Sequence, residues 1–338
     1  MSCDQWFDGD LGAGGAAGKW PGEGLRLDVD GHVDPTVRLR IATVGWRGMA
    51  ESSRSQGSQV FRDGLLEGMV CVVSGAGTGL GRETALEMAR LGATVVGCGR
   101  RAEPLAETAA LAAGLPGTFG HEVLDIREED AVDAFFDGLL ERHGRLDVLV
   151  NNAGGQFLSP AEAISPKGFR TVIELNVTGT WLMSHAAATK AFIQGGGGKI
   201  LSVTLSPHNG MPGMVHSGAA RAAVENMMRT LAIEWARFGV TTCAIAAGQF
   251  ATETLLTKYP SEIVERVAQS IPLGRTGRPE EIAWLLAYLA SPAGDFYSGT
   301  TITLDGARDN WVGPWPPAEV ATESGSLPAE ERRAPEAG

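Results

Sequence analysis

Ser74-Gly-Ala-Gly-Thr-Gly-Leu-Gly81 is the stretch that decides the fold. Ahead of it, Met69–Ser74 is apolar enough to be a buried strand. Behind it, Gly79–Leu91 places Leu80, Thr84, Leu86/Met88 and Leu91 at helical spacing. Glycines between strand and helix let the backbone turn tightly and approach a bulky anion. The helix start then offers free N–H groups and the positive end of its dipole. A glycine-rich string alone says little, but with a strand before it and a helix after it, it reads as a cradle for a pyrophosphate.

Working outward, strands and helices alternate from residue 60 to 312. Thr94–Cys98, Thr118–Leu124, Asp147–Val150, Lys199–Thr204, Val240–Ala246 and Thr300–Leu304 read as further strands. Helical patterns lie between them at Pro104–Ala113, Glu128–His143, Gly168–Gln194 and Ala219–Phe238, and Pro279 opens a last helix at its first position. Near-continuous apolar strands alternating with helices predict an α/β domain, a single doubly wound parallel sheet of Rossmann type with helices on both faces. Residues 1–59 read as a disordered extension, with seven glycines in residues 9–24 and a polar, Ser-rich stretch at 51–59. Residues 313–338 hold five prolines and read as a flexible tail.

Composition narrows the function. Of 338 residues, 43% are hydrophobic and 20% charged, and the net charge is −12. That acidity, most of it between residues 60 and 312, argues against nucleic acid as a partner. No apolar run approaches the roughly 18 residues of a membrane span. Without a signal pattern at the start, a cytoplasmic protein is the expectation. Cys3, Cys71, Cys98 and Cys243 are too scattered for a disulfide scaffold or a zinc site, so no metal is predicted.

The end of the second strand reads the nucleotide. An acid there would bind a ribose 2′-hydroxyl, but this chain has Gly99-Arg100-Arg101. Two guanidiniums suit a 2′-phosphate, which favours NADPH/NADP+ over NAD(H). Asp125, after the third strand, is placed to accept a hydrogen bond from the adenine amino group.

The glycine spacing Gly-x-x-x-Gly-x-Gly, together with Asn151-Asn-Ala-Gly154 after the fourth strand, resembles the short-chain dehydrogenase/reductase family. Asn176 in Leu-Asn-Val-Thr-Gly-Thr, Pro272-Leu-Gly-Arg-Thr-Gly-Arg-Pro-Glu-Glu-Ile-Ala283 and Leu304-Asp-Gly306 extend the likeness over about 250 residues. The resemblance implies a dinucleotide held by Gly75, Thr78, Gly79 and Leu80, by Arg100 and Arg101, by Asp125 and Ile126, and by Asn152, Ala153 and Gly154. It adds Gly248, Phe250 and Thr252 at the nicotinamide, with Ala247 standing where the family has Pro. It also implies a homo-oligomer, a dimer or tetramer. The Met227, Met228, Leu231 and Trp235 stripe is either part of that interface or plain core.

The catalytic pattern departs from the family, which uses Asn, Ser, Tyr and Lys. The chain's three tyrosines, Tyr259, Tyr288 and Tyr297, lie away from the expected position. Aligning Ala222-Ala-Val-Glu225 puts Arg221 at the Lys position, Ser217 at the Tyr position and Thr204 at the Ser position. The candidate catalytic set is therefore Asn176, Thr204, Ser217 and Arg221. Serine is a poor general acid at neutral pH but a good donor to an oxyanion, and Arg221 stays charged and holds the nicotinamide ribose. Such a set suits an enolate better than an alkoxide. Asn151-Asn-Ala-Gly-Gly-Gln-Phe-Leu-Ser-Pro-Ala-Glu162 and His216-Ser-Gly-Ala-Ala-Arg-Ala resemble the peroxisomal trans-2-enoyl-CoA reductase and 2,4-dienoyl-CoA reductase branch, which lacks that Tyr and uses NADPH. The expected substrate is an acyl-CoA thioester, touched by Gln156 and His216. Leu255, Leu256, Tyr259, Ile263 and Val267 on Phe250–Ser270 form either its cover or ordinary packing. Two other readings remain open: an alcohol or ketone dehydrogenase acting on terpenoids or steroids, and a nucleotide-binding regulatory protein without turnover.

Overall fold

The structure, a computed structural model, describes residues 57–206, 208–258 and 261–310. The expectations for residues 1–56, for the tail from residue 313 and for Tyr259 lie outside the described residues.

Seven parallel strands form one sheet: β1 (Val70–Ser74), β2 (Thr94–Gly99), β3 (Thr118–Val123), β4 (Val148–Asn151), β5 (Gly198–Leu205), β6 (Val240–Ala247) and β7 (Thr300–Leu304). Their order is β3-β2-β1-β4-β5-β6-β7. The chain thus works outward to β3, returns beside β1 with β4, and works outward again. The C-terminal ends of β1 and β4 meet where the direction reverses, which is where open parallel sheets bind their ligands.

Alternation along each strand builds two cores. On one face, Val70 and Val72 of β1, Leu149 of β4 and Ile200 of β5 are buried under α3 (Glu129–His143) and α7 (Val215–Trp235). On the other, Cys71, Val73, Val148, Val150, Leu201 and Val203 pack under α1 (Gly79–Arg90), α2 (Ala102–Ala112) and α10 (Pro279–Ala290). Phe136 and Phe192 are fully buried in the first core; removing such a ring costs about 3–5 kcal/mol. The Met228, Leu231 and Trp235 stripe is buried in the same core, with Met227 partly so. It is therefore packing, the simpler of its two readings.

Three elements differ from the sequence reading. The long helix is a continuous run of α4 (Pro166–Ile173), α5 (Gly179–Ala186) and α6 (Ile193–Gly195), joined by π-helical turns at Glu174–Thr178 and Ala187–Phe192. Helix α7 starts at Val215 rather than Ala219. Gly218 weakens helix propensity there, but the buried side chains of His216 and Ser217 hold the first turn in place. The segment after β6 is split into α8 (Glu253–Lys258) and α9 (Ser261–Gln269). Leu256 is exposed rather than packed. Among the described residues no helix is long and apolar enough to cross a membrane, and no cluster of His, Cys, Asp and Glu could hold a metal.

Candidate active site

Ser74 and Asn152 lock the glycine loop to the sheet at the reversal point. Ser74 Oγ accepts from the backbone N–H groups of Asn152 and Ala153, both at 3.0 Å, and Asn152 Nδ2 donates to the Ser74 carbonyl at 3.0 Å. Gly75 and Gly79 take left-handed φ values of 69° and 56°, a conformation that disfavours side chains. A Cβ on Gly81 would lie 2.3 Å from both Asn152 Nδ2 and the Gly75 carbonyl oxygen. Thr78 makes no side-chain cap to α1, and no acid sits in its first turn, so the helix start is free for an anion.

A cleft runs from there across the sheet edge, lined by Gly75, Gly77, Thr78, Arg100 and Arg101 and by Leu124, Asp125, Ile126, Asn152, Ala153 and Gly154. Arg100 and Arg101 are exposed and form no ion pair among the described residues. Asp125 is engaged otherwise than expected. Arg127 Nε donates to its Oδ1 at 2.9 Å and Nη2 pairs with Oδ2. Hydrogen bonds from Arg127 hold its carboxyl below the usual range. The sequence reading missed Arg127, although its place two residues after Asp125 was visible. A carboxylate offers about four lone-pair sites, so Asp125 keeps acceptor capacity for an adenine amino group.

A second cleft continues past Leu80, Asn152, Gly154, Gln156, Thr204, Arg221, Gly248, Phe250 and Thr252. Gly248 is tight, since a Cβ would sit 2.6 Å from that of Asp305. Phe250 is buried and packs over Gly277. Thr252 Oγ1 accepts weakly from the Leu255 N–H at 3.4 Å, capping α8.

Of the four candidate catalytic side chains, Thr204 and Arg221 line this second cleft, while Asn176 and Ser217 are buried behind its lining residues Gly155 and Gln156. Asn176 lies fully buried in a π turn. Its Nδ2 donates to the Gly155 and Val172 carbonyls at 2.8 Å, and its Oδ1 accepts from the Gly155 N–H at 3.2 Å. It therefore anchors the loop after β4. Its π-helical turn is a local widening often found at functional sites. Ser217 Oγ donates to Gln156 Oε1 at 2.8 Å. Thr204 Oγ1 donates to Glu225 Oε1 at 3.0 Å, a different partner from that of Ser217. Arg221 Nη1 donates to the Val203 carbonyl at 3.0 Å, while its buried Nε has no partner. Burial lowers the Arg221 guanidinium to about 10, and no carboxylate opposes that. His216 is fully buried with its Nε2 unpartnered, its Nδ1 accepting from the Ser217 N–H and its ring edge-on to Phe157. A charged guanidinium without a counter-ion, an uncapped helix start and two unpaired arginines fit a phosphorylated dinucleotide lying along the joined clefts.

Comparison with known proteins agrees with this architecture. A family profile described as "Enoyl-(Acyl carrier protein) reductase" matches residues 75–307. The chain belongs to the short-chain dehydrogenase/reductase family. A probable 2,4-dienoyl-CoA reductase of Bacillus subtilis is 37% identical over 255 residues, covering 74% of this chain and 100% of that protein. The 2-dehydro-3-deoxy-D-gluconate 5-dehydrogenase of Escherichia coli is 35% identical over 244 residues, 71% of this chain and 95% of its own. Among solved structures, a citronellol catabolism dehydrogenase of Pseudomonas aeruginosa is 40% identical, with a TM-score of 0.67 over 74% of this chain and 98% of its own. The chain is thus an oxidoreductase of this family, whose members bind NAD(P)(H) and among which dienoyl-CoA reductases use NADPH.

Proposed function

We propose that this short-chain dehydrogenase/reductase uses NADPH to reduce the C=C bond of an enoyl-CoA or dienoyl-CoA thioester. The observation that carries the reading is the pair Ser217 and Arg221 on one face of α7, standing where the family has Tyr and Lys. Of the tyrosines among the described residues, Tyr288 and Tyr297 stack edge-on against each other at 6.0 Å and line neither cleft. The site therefore offers oxyanion donors without a tuned phenol.

Bound nicotinamide supplies a hydride. Arg221, which lines the second cleft, would hold the nicotinamide ribose and supply positive charge there. Asn176 fixes the loop that carries Gly155 and Gln156. The Ser217 hydroxyl, which donates to Gln156 Oε1 in the free protein, turns its proton to the thioester oxygen as that oxygen gains enolate charge, and Thr204 lines the second cleft from the end of β5. Preorganised donors of this kind act most strongly where water is excluded. Dienoyl-CoA reductase relatives support the substrate class. The citronellol catabolism dehydrogenase and the sugar-acid dehydrogenase favour a second reading, oxidation of an alcohol or reduction of a ketone. The missing tyrosine weighs against it.

The test follows absorbance of NADPH with crotonyl-CoA, 2,4-hexadienoyl-CoA and longer homologues, beside a panel of terpenoid and steroid alcohols and ketones. Turnover of the thioesters supports the proposal. Turnover of ketones alone overturns it, and cofactor binding without turnover of anything points to a regulatory protein.

A further inference from the structure

Glu225 has no place in the scheme so far, yet it is only 4% exposed and lies one turn beyond Arg221 on α7. Burying a carboxylate is costly unless its partners repay the lost hydration. Its partners form a line. Thr204 Oγ1 lies 3.0 Å from Oε1, on the side of the cleft. His208 Nε2 lies 3.0 Å from the same Oε1 and 3.1 Å from Oε2, on the side of a cavity of about 540 Å³ that His208, Arg221 and Glu225 all line. Behind it, His208 Nδ1 meets Asp309 Oδ2 at 2.5 Å, and the His208 backbone N–H donates to Oδ1 at 2.6 Å. Asp309 is fixed in turn, its N–H donating to Asp305 Oδ2 at 2.7 Å, and the Ser206 hydroxyl donates to that same carboxylate. The remaining groups facing Glu225 are Arg229, 3.8 Å from Oε2, and the Thr301 hydroxyl at 3.5 Å. His208 keeps about a third of its side chain in solvent. The line therefore joins the cleft to water.

We propose that Asp309, His208 and Glu225 form a proton relay that recharges the Thr204 hydroxyl, doing the work that Tyr and Lys do elsewhere in the family. The proposal rests on the double-bond reading above. Hydride addition at the β- or δ-carbon leaves an enolate. The Thr204 O–H bond breaks as a C–H bond forms on the enolate, whose electron pair becomes that bond. Glu225 Oε1, 3.0 Å from both Thr204 Oγ1 and His208 Nε2, takes a proton from the imidazolium and, with the Thr204–Glu225 hydrogen bond reversed, hands it to the Thr204 oxygen; solvent reloads the imidazole. One hydride and one proton are consumed per double bond. Burial disfavours the His208 imidazolium, but Asp309 and Glu225 outweigh it and leave His208 protonated to higher pH than an ordinary histidine. Asp309 orients the ring and fixes which nitrogen faces Glu225.

The test compares full-length wild type with Glu225→Gln and His208→Gln, using NADPH with crotonyl-CoA and 2,4-hexadienoyl-CoA. Glutamine keeps a hydrogen-bonding partner for Thr204 but cannot pass a proton. The relay predicts that kcat falls about a hundredfold in both variants. KM and the NADPH Kd stay within about twofold, and the solvent deuterium effect on kcat rises. In wild type kcat falls as pH rises through the His208 value; that limb vanishes in His208→Gln. Glu225→Asp recovers part of the lost kcat. Nitrogen NMR of His208 gives a readout apart from turnover: its titration midpoint drops in Glu225→Gln. Unchanged kcat with an unmoved alkaline limb overturns the relay, as does a His208 midpoint indifferent to Glu225. Should Glu225→Gln fail to fold, the Asp309→Asn variant, at the more exposed His208 end of the line, must lower the His208 midpoint and kcat together. If wild type reduces only ketones, the double-bond reading fails, and the same readouts on the ketone decide the relay separately.

Discussion

The Ser217 hydroxyl donates to Gln156 Oε1 at 2.8 Å, joining the first turn of α7 to the loop after β4. A fully buried serine thereby holds an exposed amide, Gln156, that lines the second cleft. If Ser217 is the oxyanion donor, Ser217→Ala lowers kcat for crotonyl-CoA at least tenfold. A neutral hydrogen bond contributes only about 1 kcal/mol, so Tm and the NADPH Kd should hardly move. Full kcat in the alanine variant would remove Ser217 from the mechanism.

Arg100 and Arg101 stand at the end of β2, where an acid would bind a ribose 2′-hydroxyl, and neither forms an ion pair among the described residues. Charge-assisted hydrogen bonds contribute about 1.5–3 kcal/mol each. Replacing both arginines by Ala should raise the NADPH Kd at least tenfold and leave the NADH Kd within about threefold. Fluorescence titration with each nucleotide reads the difference. An equal loss for both nucleotides refutes the 2′-phosphate role.

What could be read from the sequence follows what is local. The strand and helix around Gly75–Gly81 are set by neighbouring residues, and each expected strand lies within a residue or so of the observed one. The π turn that carries Asn176 leaves no trace in the apolar periodicity, because one extra residue per turn keeps Leu175 and Val177 partly buried against the core. Helix α7 began earlier than Gly218 suggested because tertiary burial of His216 outweighs local propensity. His208, Glu225 and Asp309 are brought together by the ends of β5 and β7 and one face of α7. Such a long-range cluster has no signature at any fixed spacing, so only the folded structure shows it.

Gly81 tests the cradle through packing. A Cβ there would lie 2.3 Å from a backbone oxygen, that of Gly75, which has no side-chain freedom to move aside. Gly81→Ala should cost about 1–3 kcal/mol, lowering Tm by several degrees, and should weaken either nucleotide by displacing Gly75. At Gly120 on the edge strand β3, a Cβ would meet nothing within 4 Å. Gly120→Ala is the control and should leave both melting and binding unchanged. Equal melting of the two variants would contradict the packing geometry.

Arg221 separates stability from function. Burial lowers it to about 10, no carboxylate compensates, and its Nε has no partner. Replacing an uncompensated charge by a methionine of similar length removes the desolvation cost, while the Val203 carbonyl loses a donor. Arg221→Met should therefore melt no lower than wild type, yet bind NADPH at least tenfold more weakly, which is about 1.4 kcal/mol. Calorimetry and nucleotide titration on one preparation read both. A large fall in Tm with intact binding would make Arg221 a structural residue.

His208 predicts a pH dependence of stability as well as of rate. Burial lowers its imidazolium and the Asp309 and Glu225 carboxylates raise it more, so the net shift is upward. The folded state then holds a proton that the unfolded chain releases near the ordinary value of about 6.5. Stability from this source is fully present below about pH 6.5 and is lost as pH rises through the higher folded value. Asp309 works oppositely. Burial raises it, but the hydrogen bond from His208 lowers it further, so its contribution is present above about pH 4 and is lost on acidification through its depressed value. Between those limits the pair is charged on both sides. Scanning calorimetry of wild type and His208→Gln from about pH 5 to 9 should give a Tm difference that is largest at the acid end and shrinks as pH rises. A difference that stays constant across that range would mean that His208 is neutral in the folded protein.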